Sequence, residues 1–209
     1  ELGFSVINLV RDNPTEMTAR GVTYRHPDGL LNLTQFTQVA LATVAMATTA
    51  RLSEAGALVE DAAFAGHSLG EYTALSAYGR VMPVETTISI VFQRGSTMHT
   101  LVERDADGAS NYRMGALRPN QAGIGADRVE EYVASVAQAS GEFLQIVNFN
   151  LAGVQYAVAG TIRGLEALAA DSRAKAEARG GKNPFMFVPG IDVPFHSEVL
   201  RPGVPEFRG

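Results

Sequence analysis

An α/β fold is predicted by three observations on this sequence. The short apolar run Ala62-Ala63-Phe64-Ala65 leads directly into Gly66-His67-Ser68-Leu69-Gly70 and then into a helical pattern, which reads as strand, tight turn and helix. From Tyr112 to Val188 the rhythm changes to short strands and two helices in the order β-α-β-β-α-β, the ferredoxin-like arrangement. The length, 209 residues with 46% apolar and 19% charged, suits one domain with an inserted sub-domain. The expected architecture is an α/β-hydrolase-like parallel-sheet body, residues 1–111 and 189–209, with a ferredoxin-like (βαββαβ) sub-domain inserted at 112–188.

Residues 1–33 carry the weakest pattern, punctuated by turn signals at Asp12-Asn13-Pro14 and His26-Pro27-Asp28-Gly29. Thr34 reads as an N-cap for a helix over Gln35 to Leu52, and Gly56 marks its end. The run 62–65 reads as a buried strand of a parallel sheet. Ser68 to Tyr78 reads as a helix, and Pro83 as the first residue of another that runs to about Val102. The polar stretch Arg104 to Asn111 reads as a surface loop. Strands are then expected at 112–117, 143–149, 154–159 and 184–188, with helices at 127–139 and 162–179. The alanines between Ala167 and Ala178 are helix formers.

Composition removes several classes of function. There is no cysteine, which excludes disulfides, thiolate zinc sites and a cysteine nucleophile. Seventeen basic residues against 22 acidic ones give a net charge of −5 without a Lys/Arg cluster, which argues against nucleic-acid binding. The longest apolar stretch, Val39 to Ala50, is interrupted by Thr43, Thr48 and Thr49 and falls short of the roughly 18 to 20 residues needed to span a bilayer. The first residues show neither a basic region nor a small-residue cleavage site, so no signal peptide is read. The start at Glu1 without methionine and the stop at Gly209 after a Pro-rich stretch read as a fragment.

Chemistry concentrates at a few positions. Gly66-His67-Ser68-Leu69-Gly70 fits G-x-S-x-G between a strand and a helix, the setting in which that pattern presents a serine hydroxyl as a nucleophile. Glycine suits the flanking positions because the sharp turn crowds the backbone. A bare match is also met in purely structural turns. A serine nucleophile needs a base, and the chain holds His26, His67, His99 and His196. His67 adjoins the serine and should point elsewhere. His26 reads as a solvated loop residue and His99 as structural or surface. His196, in the loop Val193-Pro194-Phe195-His196-Ser197, is either the base or a capped structural histidine. Arg94 is either a solvated helix cation or a buried guanidinium that grips a carboxylate with both nitrogens.

These segments carry a family resemblance. Gly66 to Leu75 (Gly-His-Ser-Leu-Gly-Glu-Tyr-Thr-Ala-Leu) resembles the nucleophile motif of the malonyl-CoA:acyl-carrier-protein transacylases. Thr34-Gln35-Phe36-Thr37-Gln38-Val39-Ala40-Leu41 resembles the family's T-Q-x-x-Q-P-A-L helix, with Val39 in place of proline. Arg94-Gly95-x-x-Met98 resembles the segment that supplies the malonyl-binding arginine. Asn148-Phe149-Asn150 through Gln155 resembles the cleft-lining segment, and Val193 to Ser197 the catalytic histidine loop. The match runs from Leu30 to Leu200. Val10-Arg11-Asp12-Asn13-Pro14, Gly29-Leu30-Leu31 and Asp192 to Ser197 are most similar to the malonyl/palmitoyl transferase domain of fungal and actinobacterial type I fatty acid synthases. The family's opening G-Q-G-x-Q motif is not found, and the segment that orients the histidine is cut short at Gly209.

The resemblance implies ping-pong acyl transfer through an acyl-serine. Ser68 is then the nucleophile, His196 the base, and the N–H of Leu69 one oxyanion donor. Arg94 holds the malonyl carboxylate, and Asn148, Asn150 and Gln155 line the acyl site. The implied substrates are coenzyme A thioesters, malonyl-CoA and, in the return direction, palmitoyl and coenzyme A. The implied partners are the phosphopantetheine of an acyl carrier protein and other domains of a cytoplasmic synthase. No metal and no cofactor is expected in this domain, NADPH and flavin belonging elsewhere in such a synthase, and neither nucleic acid nor membrane is an expected partner. A serine hydrolase or thioesterase, a polyketide-type acyltransferase and a silent carrier-docking module are the competing readings. Arg94 speaks against the hydrolase, since a neutral acyl ester gives a guanidinium nothing to bind.

Overall fold

Helix propensity and cap chemistry set the first elements. Ser5 caps α1, Val6–Asp12, through its hydroxyl to the Asn8 N–H (3.3 Å), and Asn13 ends it in the left-handed region. Strands β1, Glu16–Ala19, and β2, Val22–Arg25, form an antiparallel hairpin. Its Arg20-Gly21 turn has positive φ at both residues, the hand that matches strand twist. The long α2, Thr34–Glu54, follows, then α3, Leu69–Thr73, which runs into a π-turn over Ala74–Tyr78, and α4, Val84–Thr100. The computed structural model describes residues 3–59 and 61–208. It divides into two compact units, Glu1–Thr100 with Glu206–Gly209, and Leu101–Pro205.

The first unit is held by two apolar clusters. Leu9, Leu30, Leu33 and Phe36 are all but fully buried, and Phe36 meets the rings of Phe4 and Tyr24 edge-on at 5.1 and 5.0 Å. Val39, Ala42, Met46 and Val91 form the second cluster, against which Leu69, Tyr72 and Ile88 pack. Thr34 does not cap α2. The cap is Leu33, and the Thr34 hydroxyl instead accepts from the Gln38 side chain at 2.8 Å.

Residues 62–65 do not form the expected strand. They enter the turn without a ladder partner among the described residues, and Ala63, Phe64 and Ala65 are exposed. An apolar run becomes a strand only where neighbours take up its backbone groups. Phe64 finds an aromatic partner instead, its ring 4.9 Å from that of Tyr78. His26, expected in solvent, is buried, and its Nδ1 accepts from the Asp28 N–H at 3.1 Å, closing the His-Pro-Asp-Gly turn. His99 is half-buried against the edge of Tyr24.

The second unit has the expected element order: β3, Tyr112–Leu117; α5, Val129–Ser140; β4, Leu144–Leu151; β5, Gln155–Thr161; α6, Ile162–Glu177; and β6, Phe185–Phe187. The strands pair antiparallel in the order β4-β5-β3-β6. Side chains from α5, α6 and one sheet face, among them Val129, Val133, Val158, Leu165, Leu168 and Phe185, close a single core. Gly115 admits the Phe185 ring, which an added Cβ would meet at 2.1 Å.

Candidate active site

The backbone around Ser68 is a sharp elbow. Ser68 sits at φ 53°, ψ −110°, a conformation that side-chain-bearing residues rarely adopt, immediately before α3. The turn closes because Gly66 lacks a Cβ, which would lie 2.0 Å from the carbonyl of Gly70. Two hydrogen bonds lock it, Gly70 N–H to His67 O at 2.8 Å and Glu71 N–H to Ser68 O at 3.1 Å. Leu69 opens α3, so its N–H has no carbonyl a turn behind it to bond. The Leu69 side chain packs with Val39, Ala42, Met46 and Val91 and ties the elbow to the core.

Arg94 meets this elbow from α4. Helices α2 and α4 approach closely because Gly95 has no side chain; a Cβ there would stand 2.4 Å from Gln35 Cα. That closeness puts Gln38 of α2 beside Arg94. Arg94 Nη1 donates to Gln38 Oε1 at 2.5 Å, and Nη2 donates to Ser68 Oγ at 2.9 Å. Gln38 Nε2 donates in turn to Thr34 Oγ1 at 2.8 Å, and it lies 3.7 Å from Met98 Sδ. The guanidinium also lies 5.6 Å from the centroid of the Tyr72 ring. Burial pushes the Arg94 pKa below the usual arginine range, against a smaller upward pull from Tyr72 and Glu71. No carboxylate pairs with Arg94 among the described residues. A partly buried cation aimed at a hydroxyl can receive an anionic group attached to that hydroxyl.

The other expected residues lie in the second unit. His196 is exposed, at φ +59° in the loop between β6 and the following 3-10 turn. Asn148 is half-buried on β4 opposite Ala157, Asn150 is exposed, and Gln155 opens β5. Two register shifts on either side of Asn148 break the strand's alternation, so Asn148 and Asn150 are not bound to share a face. Ser68, Leu69 and Arg94 are thus gathered within the first unit, while His196, Asn148, Asn150 and Gln155 belong to the second. Two members of the Arg94 cluster were not assigned a role from sequence, Gln38 and Tyr72. The signal was present: Gln38 stands one helical turn after Thr34, and Tyr72 one turn after Ser68.

Comparison with known proteins places the chain in a family. Residues 1–179 match the acyl transferase domain, and the chain belongs to that family. It is 38% identical over 225 residues to fatty acid synthase 2 of Mycosarcoma maydis, covering 91% of this chain and 6% of that protein. It is 34% identical over 227 residues to the fatty acid synthase subunit beta of Saccharomyces cerevisiae, covering 89% of this chain and 11% of that one. The chain therefore spans about a tenth or less of the length of these two relatives. Among solved structures it is similar to the malonyl CoA-acyl carrier protein transacylase of Coxiella burnetii, with a TM-score of 0.68 at 26% identity, covering 98% of this chain and 54% of that one. It is equally similar to a malonyl-transacylase in complex with a type II polyketide acyl-carrier protein, with a TM-score of 0.68 at 27% identity over 98% and 56% of the respective chains. No helix among the described residues is long and apolar enough to cross a membrane.

Proposed function

We propose that this chain transfers a malonyl group from malonyl-CoA to the phosphopantetheine thiol of an acyl carrier protein, through a malonyl ester on Ser68, as one domain of a fatty acid synthase. The observation that carries the proposal is the guanidinium of Arg94 at 2.9 Å from the Oγ of a serine held in a nucleophile elbow. A malonyl ester on that oxygen ends in a free carboxylate, within reach of a cation that already touches Oγ. Such a charge-assisted fork contributes about 1.5 to 3 kcal/mol, or roughly 10- to 150-fold in selectivity over an uncharged acyl group.

In this reading His196 takes the Oγ proton while Oγ attacks the thioester carbonyl. The Leu69 N–H donates to the oxyanion that forms. Collapse breaks the carbon–sulfur bond, His196 returns the proton to the departing thiolate of coenzyme A, and the malonyl-serine ester remains. The carrier's thiol then attacks that ester with His196 again as base, and Ser68 leaves with its proton. Asn148, Asn150 and Gln155 line the acyl side of the site. The cycle needs no metal and no cofactor. We extend the reading to a palmitoyl group returned to coenzyme A by the same serine. Arg94 must then give up its contact with Ser68, because a long acyl chain offers it no charge. The synthase context implies a cytoplasmic location.

Transfer assays with malonyl-CoA and palmitoyl-CoA as donors test the arginine. Arg94→Ala is expected to cut malonyl transfer by about 10- to 150-fold while leaving palmitoyl transfer within a few-fold of the parent. Equal losses on both donors would remove Arg94 from the carboxylate site.

A further inference from the structure

We infer that Arg104 and Asp192 form a buried clamp that positions His196, an inference that rests on the reading of His196 as the base. The two residues are 88 positions apart, yet their side chains are only 10% and 3% exposed. The contact is a two-point fork. Arg104 Nη1 donates to Asp192 Oδ2, and Nη2 to Oδ1 at 3.1 Å. Nη1 also donates to the carbonyl of Gly108 at 2.7 Å, which fixes the guanidinium to its own loop. The backbone of Asp192 is held as well, since its carbonyl accepts from the Ser110 hydroxyl, and Ser110 Oγ accepts from the Tyr112 N–H at 3.1 Å, at the first residue of β3. A β-bridge between Arg104 and Ser110 closes the frame.

Asp192 is therefore held at side chain and main chain beside the start of β3. Val193 is fully buried next to it. The chain then folds tightly, with Phe195 N–H on Val193 O at 2.9 Å and the Ser197 hydroxyl on Pro194 O at 2.6 Å. Beyond the histidine, the Glu198 N–H donates to Gln145 Oε1 at 2.9 Å, a second anchor on β4. His196 stands between the two anchors, exposed and at φ +59°. Non-glycine residues adopt that conformation uncommonly, and here the chain is bonded on both sides of it. Gln145 supplies one side and the Arg104–Asp192 fork the other. A misplacement of about 1 Å at a proton-transferring group is enough to cost on the order of 100-fold in rate.

The test measures the single-turnover rate of serine acylation by malonyl-CoA in the full-length protein. The paired substitution Arg104→Met with Asp192→Leu removes the fork without stranding a buried charge, so the fold is expected to survive it. Acylation is expected to slow about 10- to 100-fold, with the dissociation constant for malonyl-CoA unchanged. In a His196→Ala background the same pair should cost nothing further, because a positioning residue acts only through the group it positions. Arg104→Lys, which keeps the charge and loses the fork, should fall between and serves if the pair does not fold. An equal loss with and without His196, or no loss with it, overturns the clamp. If His196→Ala itself acylates at the parental rate, the base reading falls and takes the clamp with it. A slow His196→Ala beside an unimpaired clamp variant overturns the clamp alone.

Discussion

The cation at position 94 is held by an amide rather than a carboxylate, and that choice has a consequence. Gln38 Oε1 aims the guanidinium without neutralising it, so the charge stays available for a ligand. Gln38→Leu is therefore expected to loosen Arg94 and to lower malonyl-over-acetyl selectivity by about 5- to 10-fold, without abolishing acylation. Unchanged selectivity would show that Arg94 needs no such guide. At the elbow, Gly66→Ala drives a methyl group into the Gly70 backbone, and acylation should be lost along with the local fold. One residue is a liability. Gln35 is fully buried, and neither atom of its amide has a partner among the described residues. Gln35→Leu is expected to raise the unfolding free energy by about 1 to 3 kcal/mol, measured by denaturant titration; a decrease would reveal a partner for the amide. Ser68, Arg94 and His196 could be named as candidates from the sequence because each sits in a short local pattern. Gln38, Tyr72 and Asp192 stand within such patterns too, but their contacts with Arg94 and Arg104 come from helix crossing and loop closure, which no local pattern records.

At the scale of elements, the β-α-β-β-α-β segment was readable almost residue for residue, since its apolar positions repeat with strand and helix periods and caps mark its ends. Thr161 is one such mark. Its hydroxyl accepts from the Gly164 N–H at 3.2 Å and donates to Glu142 at 2.7 Å. Thr161→Ala is expected to cost about 1 kcal/mol in the unfolding of the second unit. Helices α5 and α6 are joined by Tyr132, whose hydroxyl donates to Asp171 at 2.7 Å. Burial, reinforced by that bond and by the carboxylate's charge, pushes the Tyr132 pKa well above the usual tyrosine value. A raised pKa favours the neutral phenol in the folded state. The stabilisation is complete below the unfolded tyrosine's pKa of about 10 and declines as pH rises past it. Thermal melts of Tyr132→Phe should show a shallower alkaline decline than the parent. The run 62–65 was misread because apolarity alone names a buried segment; whether it becomes a strand depends on neighbours elsewhere in the chain.

On the scale of the whole molecule, the proposed machinery is distributed over two units. The nucleophile, its oxyanion donor and the arginine come from the first, the base and the acyl-site amides from the second. A net charge of −5 without a Lys/Arg cluster argues against a nucleic-acid partner. The central claim is that Ser68 carries the acyl group between donor and acceptor thiols. It is tested most directly by intact-mass measurement after brief exposure of the full-length protein to malonyl-CoA, with Ser68→Ala beside it. A malonyl adduct that is absent in Ser68→Ala and is discharged by added carrier thiol is the expected result. An adduct that persists in Ser68→Ala, or rapid release of free malonate with no adduct on the parent, would contradict the account.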